Sequence, residues 1–472
     1  MTMPPKRGRT GRRRKKKVPE ASAESRSHEE RNIRLRRWMK GRGFQDKQLR
    51  AAHFSDTGRG LMSARPLQPG ALIISLPESC LLTTSTVLRS DLGKYIRGWR
   101  PPLSPLLALC TFLVLERYVG DRSPWKPYLD VLPNAYDCPV YWEAETVNCL
   151  PDPVKQKALE QRSAVREFYS SALPFFRSLD PLFPEAAENI LTYDAVRWAW
   201  CTVNTRTVYM KHARRECFSA EEDVYALAPY LDLLNHQAGV QVEGAFNEKN
   251  RCYEIRTLVP YRKYEQVFIC YGHHDNQRLL LEYGFIAANN PHQSVYVTAA
   301  VILQFVSREN KQSEKKLSLL KENGFLENLT FGQDGPSWRL LTACRILSLA
   351  ADEFHYWKKV LLGSFVSESC ERAAGELVRK ICLHLLEETS RALDEVVLIQ
   401  VNGAKLQFHT QPRAALFLIF ISCFVYVRSS SALALGLLWN HPQEGAAAAD
   451  GCSSESHRLQ HHNWFLWLIG VM

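Results

Sequence analysis

The chain has 472 residues, of which 46% are hydrophobic and 23% charged, and this balance is typical of a globular protein of two or three domains with a sizeable core. The net charge of +11 is concentrated at the N-terminus, where residues 1–17 contain nine Lys and Arg residues and no acidic residue. The 13 cysteines include no C-x-x-C pair and no apolar segment follows Met1, which argues against a secreted disulfide-rich protein and favours a reducing intracellular compartment.

The basic N-terminal segment, residues 1–32, is expected to be disordered, because its like charges repel and it offers little apolar surface to bury. Three hypotheses remain for its role: a nuclear address, a patch that binds nucleic acid, or a solvated tail with no partner. The charge pattern favours nuclear access over the solvated tail, and it does not favour specific DNA recognition. We therefore expect the protein in the nucleus and the cytoplasm.

Hydrophobic periodicity predicts the elements of the first half of the chain. Apolar residues recur at helical spacing from about residue 32, and a continuous apolar run between a glycine turn and a proline is typical of a buried strand. In chain order the predicted elements are a helix from residue 32, a buried strand over 71–76, a buried helix over 103–119, a loop or short turn over 125–129, and helices over 153–209.

The second half of the chain begins with β-rich sequence and continues in helices. Residues 252–258 alternate apolar and polar side chains, which indicates a half-buried strand, whereas residues 266–271 are apolar on both alternations, which indicates a strand covered on both faces. From about residue 337, apolar stripes at helical spacing predict amphipathic helices. Residues 414–427 are continuously apolar, but a membrane-spanning helix needs about 20 residues. Residues 399–472 match no regular domain pattern.

Three short motifs carry groups suited to a ligand site. Paired glycines let the backbone approach a ligand closely, an Asn-His pair supplies donors and acceptors, and a tyrosine at the end of a buried strand needs a partner for its hydroxyl. Alone, the glycine motif is equally well explained by a surface turn. For the other two motifs taken singly, a satisfied polar pair and a core tyrosine are the favoured interpretations. The motifs are Gly58-Arg59-Gly60-Leu61, Asp232-Leu233-Leu234-Asn235-His236 and Val267-Phe268-Ile269-Cys270-Tyr271-Gly272.

In this order the three motifs resemble the SET-domain family, and segments 125–133 and 230–236 with Tyr283-Gly284-Phe285-Ile286 are similar to its Rubisco large-subunit methyltransferase branch. The resemblance implies an α+β fold with a β-rich SET core split by a helical insert, followed by an all-helical C-terminal substrate-binding domain. The implied segments are 1–32 (basic tail), 33–100 (first part of the SET core), 101–215 (helical insert), 216–290 (second part of the SET core), 291–398 (substrate-binding domain) and 399–472 (a tail without assigned structure).

The resemblance also implies an activity and the residues that carry it. The family transfers a methyl group from S-adenosylmethionine to a protein lysine, and Tyr271 resembles the catalytic tyrosine that orients the incoming amine. In substrate binding, Asp232 is implied to orient the site or the substrate, and Tyr283 resembles a tyrosine that lines the lysine channel. The implied cofactor-binding residues are Gly58, Arg59, Gly60, Arg206, Asn235, His236, Tyr271 and Phe285.

Within that set, Arg206 resembles an arginine near the methionine carboxylate, a planar anion that a guanidinium suits, and Phe285 resembles an aromatic residue that lies against the adenine. The chain departs from many relatives at Tyr264-Glu265, where they have Gly-Glu before the catalytic strand. Residues 271–343 contain no cysteine, so the zinc-bound cysteine cluster of many histone methyltransferases is excluded and no metal is expected.

Three other functions remain open on the sequence. A close branch of the superfamily methylates histidine in actin, a non-catalytic SET module would hold a peptide without transferring a methyl group, and a nucleic-acid binder would depend on the basic tail. The intact Asn235-His236 pair and Tyr271 argue against a decayed site. The expected partner is a lysine-containing protein segment, with a histone as one candidate. We expect a monomer with neither membrane contact nor specific nucleic-acid binding.

Overall fold

In a computed structural model of the chain, residues 24–26, 28–306, 311–332 and 334–401 are described, with side chains given except at 311 and 392–401. The basic residues 1–17, the apolar run 414–427 and almost all of the tail 399–472 lie outside the described residues. Within the described ranges the strands are β1 (Glu24–Ser25), β2 (Leu49–Phe54), β3 (Gly58–Ser63), β4 (Leu72–Pro77), β5 (Thr207–Tyr209), β6 (Tyr225–Leu227), β7 (Asn235–His236), β8 (Val242–Asn247), β9 (Cys252–Thr257), β10 (Phe268–Ile269), β11 (Val295–Val297), β12 (Leu329–Gly332) and β13 (Gly335–Pro336).

Helices fill the interval between β4 and β5 and most of the chain after β11. In the same described ranges they are α1 (Glu30–Lys40), α2 (Thr84–Arg89), α3 (Leu92–Gly98), α4 (Pro105–Val119), α5 (Lys126–Leu129), α6 (Ala144–Asn148), α7 (Asp152–Arg177), α8 (Ala187–Ile190), α9 (Tyr193–Arg206), α10 (Asn276–Arg278), α11 (Ala299–Gln304), α12 (Lys311–Glu322), α13 (Trp338–Ser348), α14 (Trp357–Leu361) and α15 (Glu368–Val401). No helix among the described residues is both long and apolar enough to cross a membrane.

Small sheets from two distant parts of the chain form the β-rich core. β1, β2 and β3 make one antiparallel sheet, and β4, β9 and β8 make another. In the second sheet Leu76 pairs with Tyr253 across the whole helical interval. The core is therefore assembled from chain segments on both sides of the helices, which confirms the predicted α+β fold with a β core split by a helical insert.

The long apolar helix α4 anchors the insert to this core. Ser104 accepts a hydrogen bond from the Leu107 amide at 3.1 Å and Pro105 occupies the first turn, both of which favour helix initiation. Every residue from Leu107 to Leu115 is buried, and α4 packs against α9. Each buried leucine contributes roughly 1.5–3 kcal/mol, so α4 is held by packing on all sides rather than by one apolar face.

A second hydrophobic core lies in the C-terminal region. It runs in sequence from Val295 to Leu385 and includes the fully buried Ile302, Leu320 and Ile381. This region is helical, as expected, but the expectation of an all-helical domain omitted one feature. β11, β12 and β13 form a small antiparallel sheet in it. Strands of two to four residues are too short for a side-chain alternation to be recognised in the sequence.

Two local expectations are corrected by the structure, and a third is made more specific. Order begins before residue 32, because β1 pairs with β2 and α1 begins at Glu30. The helix predicted to continue to residue 209 ends at Arg206, since residues 207–209 instead form β5 and pair with β6. At 125–129, where a loop or short turn was predicted, the structure has the single helical turn α5. In each case pairing or packing with distant residues decided the conformation.

Candidate active site

The first two motifs meet at a glycine. A Cβ added to Gly60 in β3 would lie 2.8 Å from the Asn235 Nδ2 atom, so any larger residue would displace the Asn235 side chain. Asn235 Nδ2 donates a hydrogen bond to the Arg59 carbonyl oxygen at 3.0 Å. The Arg59 guanidinium donates to the Val131 carbonyl oxygen at 2.7 Å. The glycine segment therefore meets the Asn-His pair through its main chain, and the Arg59 side chain ties it to the insert.

The second and third motifs are adjacent because β7 and β10 pair in parallel. In this pairing His236 lies opposite Ile269, and the Tyr271 amide, two residues further on, donates to His236 Nδ1 at 3.1 Å. Parallel strands can meet only after a long connection, so the sequence separation between these motifs is what the pairing requires. The structure thus brings all three sequence motifs to one place.

The ring of Tyr271 and three neighbouring rings form an aromatic cluster. The ring of Tyr271 lies 5.0 Å from that of Tyr283, 5.2 Å from the imidazole of His236 and 6.3 Å from the ring of Phe285. The His236 and Phe285 rings are 6.0 Å apart. These centroid distances are those of packed aromatic pairs. The aromatic cluster consists of residues predicted from the sequence for the cofactor and the substrate channel.

Tyr283 and Phe285 flank Gly284 in a tight turn. The preceding residues form a π-helical turn that ends at Tyr283, and Gly284 adopts φ +78°. A Cβ on Gly284 would lie 2.8 Å from the backbone carbonyl carbon of Asp137 and 2.8 Å from the amide nitrogen of Cys138. Glycine is therefore required at this position for both its dihedral angle and its close approach to the backbone.

The Tyr271 hydroxyl is neutral, and its proton already takes part in a hydrogen bond. It donates to the Leu234 carbonyl oxygen at 2.7 Å, and burial raises the pKa of Tyr271 above its usual value. The phenol therefore stays protonated at neutral pH and does not act as a strong base. Because the proton points at Leu234, the oxygen presents only its lone pairs to a group entering the site.

A buried ion pair lies beside the aromatic cluster. Arg206 Nη1 contacts Asp232 Oδ2 at 3.2 Å, and the Asp232 side chain is 1% exposed. Tyr128 donates its hydroxyl to the same Asp232 oxygen at 3.0 Å. Burial raises the pKa of Asp232 while Arg206 opposes that shift. Burial also lowers the pKa of Arg206, but Asp232 and the nearby tyrosines together outweigh it, so the pKa of this guanidinium lies above its usual value and its charge is retained.

The residues of the site fit a small zwitterionic ligand with an aromatic base. Arg206 Nε, Asp232 Oδ1 and His236 Nε2 are buried atoms without a hydrogen-bond partner among the described residues, and buried polar atoms normally find one. A cationic donor, an anionic acceptor and an aromatic face therefore converge with unused bonding capacity. No group of three or more His, Cys, Asp or Glu side chains in the part of the chain described is placed to hold a metal ion.

Two residues of the site were not predicted from the sequence. Tyr128 is fully buried and supports Asp232, whereas the sequence placed it only in a loop or short turn. The His274 imidazole stacks on Tyr283 with ring centroids 6.0 Å apart and planes 27° apart. His274 lies close in sequence to Tyr271-Gly272, but no sequence pattern indicated that its imidazole contacts the aromatic cluster.

Two family models match the chain. A SET domain model matches residues 58–272, and a model described as Rubisco LSMT substrate-binding matches residues 307–416. The first match spans the two β segments, the helical interval and all three motifs. The second includes most of the residues of the second hydrophobic core.

Among known proteins, the chain is 57% identical over 394 residues to SET domain-containing protein 4 of Homo sapiens, covering 83% of this chain and 89% of that protein. It is 26% identical over 340 residues to actin-histidine N-methyltransferase of Rattus norvegicus, covering 70% of this chain and 54% of that protein. A crystal structure of the SET domain of LSMT bound to lysine and AdoHcy superimposes with a TM-score of 0.61 at 18% identity, covering 92% of this chain and 99% of that one. This structural likeness establishes the fold.

Proposed function

The chain belongs to the SET-domain family of S-adenosylmethionine-dependent protein methyltransferases, and from this premise we propose that it methylates a lysine side chain of a protein substrate. The observation that carries the proposal is the meeting of the glycine segment, the Asn-His pair and Tyr271 through direct hydrogen bonds. A likeness to an LSMT structure whose ligand is lysine supports the choice of acceptor.

S-adenosylmethionine, when bound, supplies an electrophilic methyl group on a positively charged sulfur. The chain offers groups suited to each part of that molecule. Arg206 keeps its positive charge and has an unused Nε–H for the carboxylate. Phe285 offers an aromatic face for the adenine, and the main chain around Gly60 and Asn235 offers polar backbone groups.

The acceptor nitrogen must be a neutral amine, yet free lysine has a pKa of about 10.4. We assign the aromatic cluster to the wall of an apolar channel, in which loss of the ammonium proton is favoured because burial disfavours the charged form. The same rings restrict the approach of the amine, and alignment of the reacting atoms is itself a large source of rate. Tyr283, 5.0 Å from Tyr271 between ring centroids, is assigned to the channel wall.

Tyr271 orients the amine through its oxygen. Its proton is held by the Leu234 carbonyl, so the oxygen accepts a hydrogen bond from the incoming N–H and directs the nitrogen lone pair toward the methyl group. Asp232 acts indirectly, by holding Arg206 in place from within the protein. No covalent intermediate on the protein is needed, because the amine nitrogen would bond to the methyl carbon as the carbon–sulfur bond breaks, and the sulfur would leave as a neutral thioether.

Replacing Tyr271 with Phe tests the proposal, because it removes the oxygen and keeps the ring. We expect kcat to fall about 100-fold or more, the size of loss seen when one preorganised polar group is removed from a reaction site. The measurement is transfer of labelled methyl from S-adenosylmethionine into cell-extract proteins. Full activity of a folded Tyr271→Phe protein would contradict the assignment.

Tyr253→Phe serves as the matched control. Tyr253 is a buried tyrosine of β9 whose ring belongs to the main hydrophobic core and lies outside the aromatic cluster. We expect this variant to retain methyl transfer. A similar loss in both variants would attribute the effect to folding instead of to the Tyr271 oxygen.

Histidine is the second candidate acceptor, and the similarity to actin-histidine N-methyltransferase favours it. An imidazole needs no deprotonation near neutral pH, so the same site could use it as a nucleophile. Mass spectrometry of the labelled residue distinguishes the two. Methyl-lysine supports the proposal, and methyl-histidine as the main product replaces it.

The substrate is proposed to be a lysine-containing protein segment, with a histone as the first protein to test. Nine basic residues at the N-terminus favour nuclear access, so we propose that the protein is present in the nucleus and the cytoplasm. We also propose that it acts as a monomer. Deleting residues 1–17 is expected to leave methylation of a peptide intact while reducing nuclear accumulation. A loss of peptide methylation on deletion would instead place the tail in substrate binding.

A further inference from the structure

The folded N-terminal region carries a large positive charge that the candidate active site does not use. Residues 31–50, which extend from α1 into the start of β2, contain eight Lys and Arg residues and a single acidic residue. This stretch therefore contributes +7 to a chain whose net charge is +11. Such a density of one charge sign on folded elements produces a positive potential that attracts polyanions.

The acidic residue, Asp46, does not neutralise this surface, because its carboxylate is largely enclosed by the protein. Asp46 Oδ1 accepts hydrogen bonds from the amides of Gln48 at 2.7 Å and Leu49 at 3.1 Å, and Asp46 Oδ2 is buried. Burial raises the pKa of Asp46. The cations of residues 31–50 therefore have no surface carboxylate within the same stretch.

Three of the cations share one side of α1. Arg36 Nη2 donates to the Asp46 carbonyl oxygen at 3.2 Å, which ties this side of the helix to the segment before β2. Lys40 is four residues after Arg36 and three after Arg37, and side chains at these spacings are neighbours on a helix. The exposed Arg37 and Lys40 therefore lie beside the segment that carries the exposed Lys47.

The same surface continues into β2 and the turn before β10. Burial raises the pKa of Tyr230, and the guanidiniums of Arg36 and Arg50 both oppose that shift, so both lie close to this phenol. Lys263 lowers the pKa of Tyr264, and Arg50 adds to this effect. The Lys263 Nζ atom lies 4.7 Å from the centroid of the Tyr264 ring. Arg50, Lys263 and Tyr264 are thus neighbours at the surface.

The turn holds the Tyr264 side chain in the solvent through a strained backbone. Tyr264 adopts φ +70° and is 51% exposed. Backbone strain of this kind is concentrated at sites where a side chain is held for a function. The Tyr264 hydroxyl can donate to a phosphate oxygen, as tyrosines do in protein–DNA contacts.

We define the basic face as the exposed cations of this surface that form no ion pair with any residue in the described part of the chain, together with the exposed tyrosine. The basic face consists of Arg37, Lys40, Lys47, Arg50, Lys263 and Tyr264. Five positive charges without counter-charges attract an anion more strongly than paired cations would, because no neighbouring carboxylate offsets their field.

We propose that the basic face binds duplex DNA through its phosphate backbone, without reading the base sequence. This inference goes beyond the proposed function and does not depend on methyl transfer. Duplex DNA presents one negative charge per about 1.7 Å of helix axis, and this rigid array suits cations held at fixed spacing on a helix and a strand. Single-stranded nucleic acids instead stack successive bases on several aromatic rings, and the basic face offers one.

Removing four charges from the basic face tests the inference. The probes are fluorescent duplexes of about 20 base pairs in two unrelated sequences, and their anisotropy is measured against the full chain over a series of NaCl concentrations. The face variant combines Arg37→Gln, Lys40→Gln, Lys47→Gln and Arg50→Gln. The control variant removes the same charge from exposed cations elsewhere that also form no ion pair with described residues. It combines Lys249→Gln, Lys358→Gln, Lys359→Gln and Lys380→Gln.

For the parent protein we expect equal affinity for the two sequences and a steep fall in affinity with salt. Each lost phosphate contact reduces the slope of log K against log salt by about 1. The slope should therefore be smaller by about 3–4 in the face variant and within about 1 of the parent value in the control variant. At low salt the face variant should bind at least about tenfold more weakly than the parent protein. Equal losses in both variants, or binding by the face variant equal to that of the parent, would overturn the inference.

Deleting residues 1–17 separates the basic tail from the basic face. We expect the shortened protein to bind duplex DNA more weakly than the full chain, and to lose further affinity when the four face substitutions are added. If the deletion alone abolishes binding, or if the face substitutions then change nothing, the tail carries the interaction and the inference fails.

Two further probes test the choice of partner. A single-stranded oligonucleotide of the same length and vesicles containing phosphatidylserine present other anionic surfaces, and tighter binding to either than to duplex DNA would overturn the proposal. Methylation of a peptide should be unchanged in the face and control variants, because none of the substituted residues lies in the candidate active site. If the parent protein transfers no methyl group, the proposed function fails, while the DNA titration still decides this inference, with circular dichroism to verify folding.

Discussion

Among single residues, Asp232 has the most demanding environment in the site. Its carboxylate is 1% exposed and is held by Arg206 and by the Tyr128 hydroxyl. A buried charge is tolerated only when it is paired and hydrogen-bonded, and removing one of its partners costs more than the partner contributed. Tyr128 therefore contributes to the site although it lies far in sequence from all three motifs.

Tyr128→Phe tests this requirement. The variant removes the donor at 3.0 Å and leaves Asp232 Oδ2 with Arg206 alone, so we expect the free energy of unfolding to fall by about 1–3 kcal/mol. The measurement is urea denaturation. Tyr118→Phe is the control, because the Tyr118 side chain is 42% exposed and its hydroxyl contact with Glu185 lies at the surface. An equal loss in both variants would contradict the special role of Tyr128.

At the scale of elements, the turn before β10 contains a residue with an unfavourable backbone conformation. Tyr264 adopts φ +70°, a region that costs a residue with a side chain roughly 1–2 kcal/mol. The turn is nevertheless held, because the Tyr264 amide donates to the Ser63 carbonyl oxygen at 2.7 Å and the Ser63 amide donates to the Glu265 carbonyl oxygen at 2.9 Å. Pairing with β3 therefore overrides the local preference.

Tyr264→Gly should relieve the strain at this turn. We compare it with Tyr264→Ala, because both variants remove the exposed ring and its contact with Lys263 and only alanine keeps a Cβ. The free energy of unfolding of the glycine variant is expected to be about 1 kcal/mol higher than that of the alanine variant. Thermal and urea denaturation provide the values. If the alanine variant is as stable as the glycine variant or more stable, residue 264 must have relaxed to a different φ angle.

At the scale of the whole molecule, the described residues contain two large hydrophobic cores that use separate parts of the chain. The main core draws on residues from Leu35 to Val267 and the second on residues from Val295 to Leu385. Each of the three motifs contributes to the first set of residues or lies beside it. A loss of packing in the second core should therefore affect a protein substrate more than the cofactor site.

Ile381→Ala tests this division. Ile381 is fully buried in the second core, and its truncation is expected to destabilise that core by about 2–5 kcal/mol. Hydrogen exchange should increase in α13 and α15, KM for a protein substrate should rise, and affinity for S-adenosylmethionine should stay unchanged. Leu383→Ala is the control, since Leu383 lies in the same helix and is 38% exposed. A weakened cofactor affinity in Ile381→Ala would show that the two cores are coupled.

Much of this molecule was predictable from the sequence because the relevant signals are local. The apolar run of α4, the alternation of β9 and the buried stripe through Ile381 each arise from neighbouring residues, and the structure confirms them. The three motifs identified the SET fold and named residues that do meet at one site. Their individual roles toward the cofactor and the substrate stay predictions.

Tertiary structure alone decided the features that depend on contacts between distant residues. The sequence showed an Asn-His pair and a strand-end tyrosine, but only the β7–β10 pairing brought the Tyr271 amide to His236 Nδ1. Tyr128 became a site residue only because the insert folds back onto Asp232. The periodicity of apolar residues indicates which face of an element is buried. Hydrogen-bond partners depend instead on which distant segments come together in three dimensions, and neighbouring residues in one sequence do not specify this.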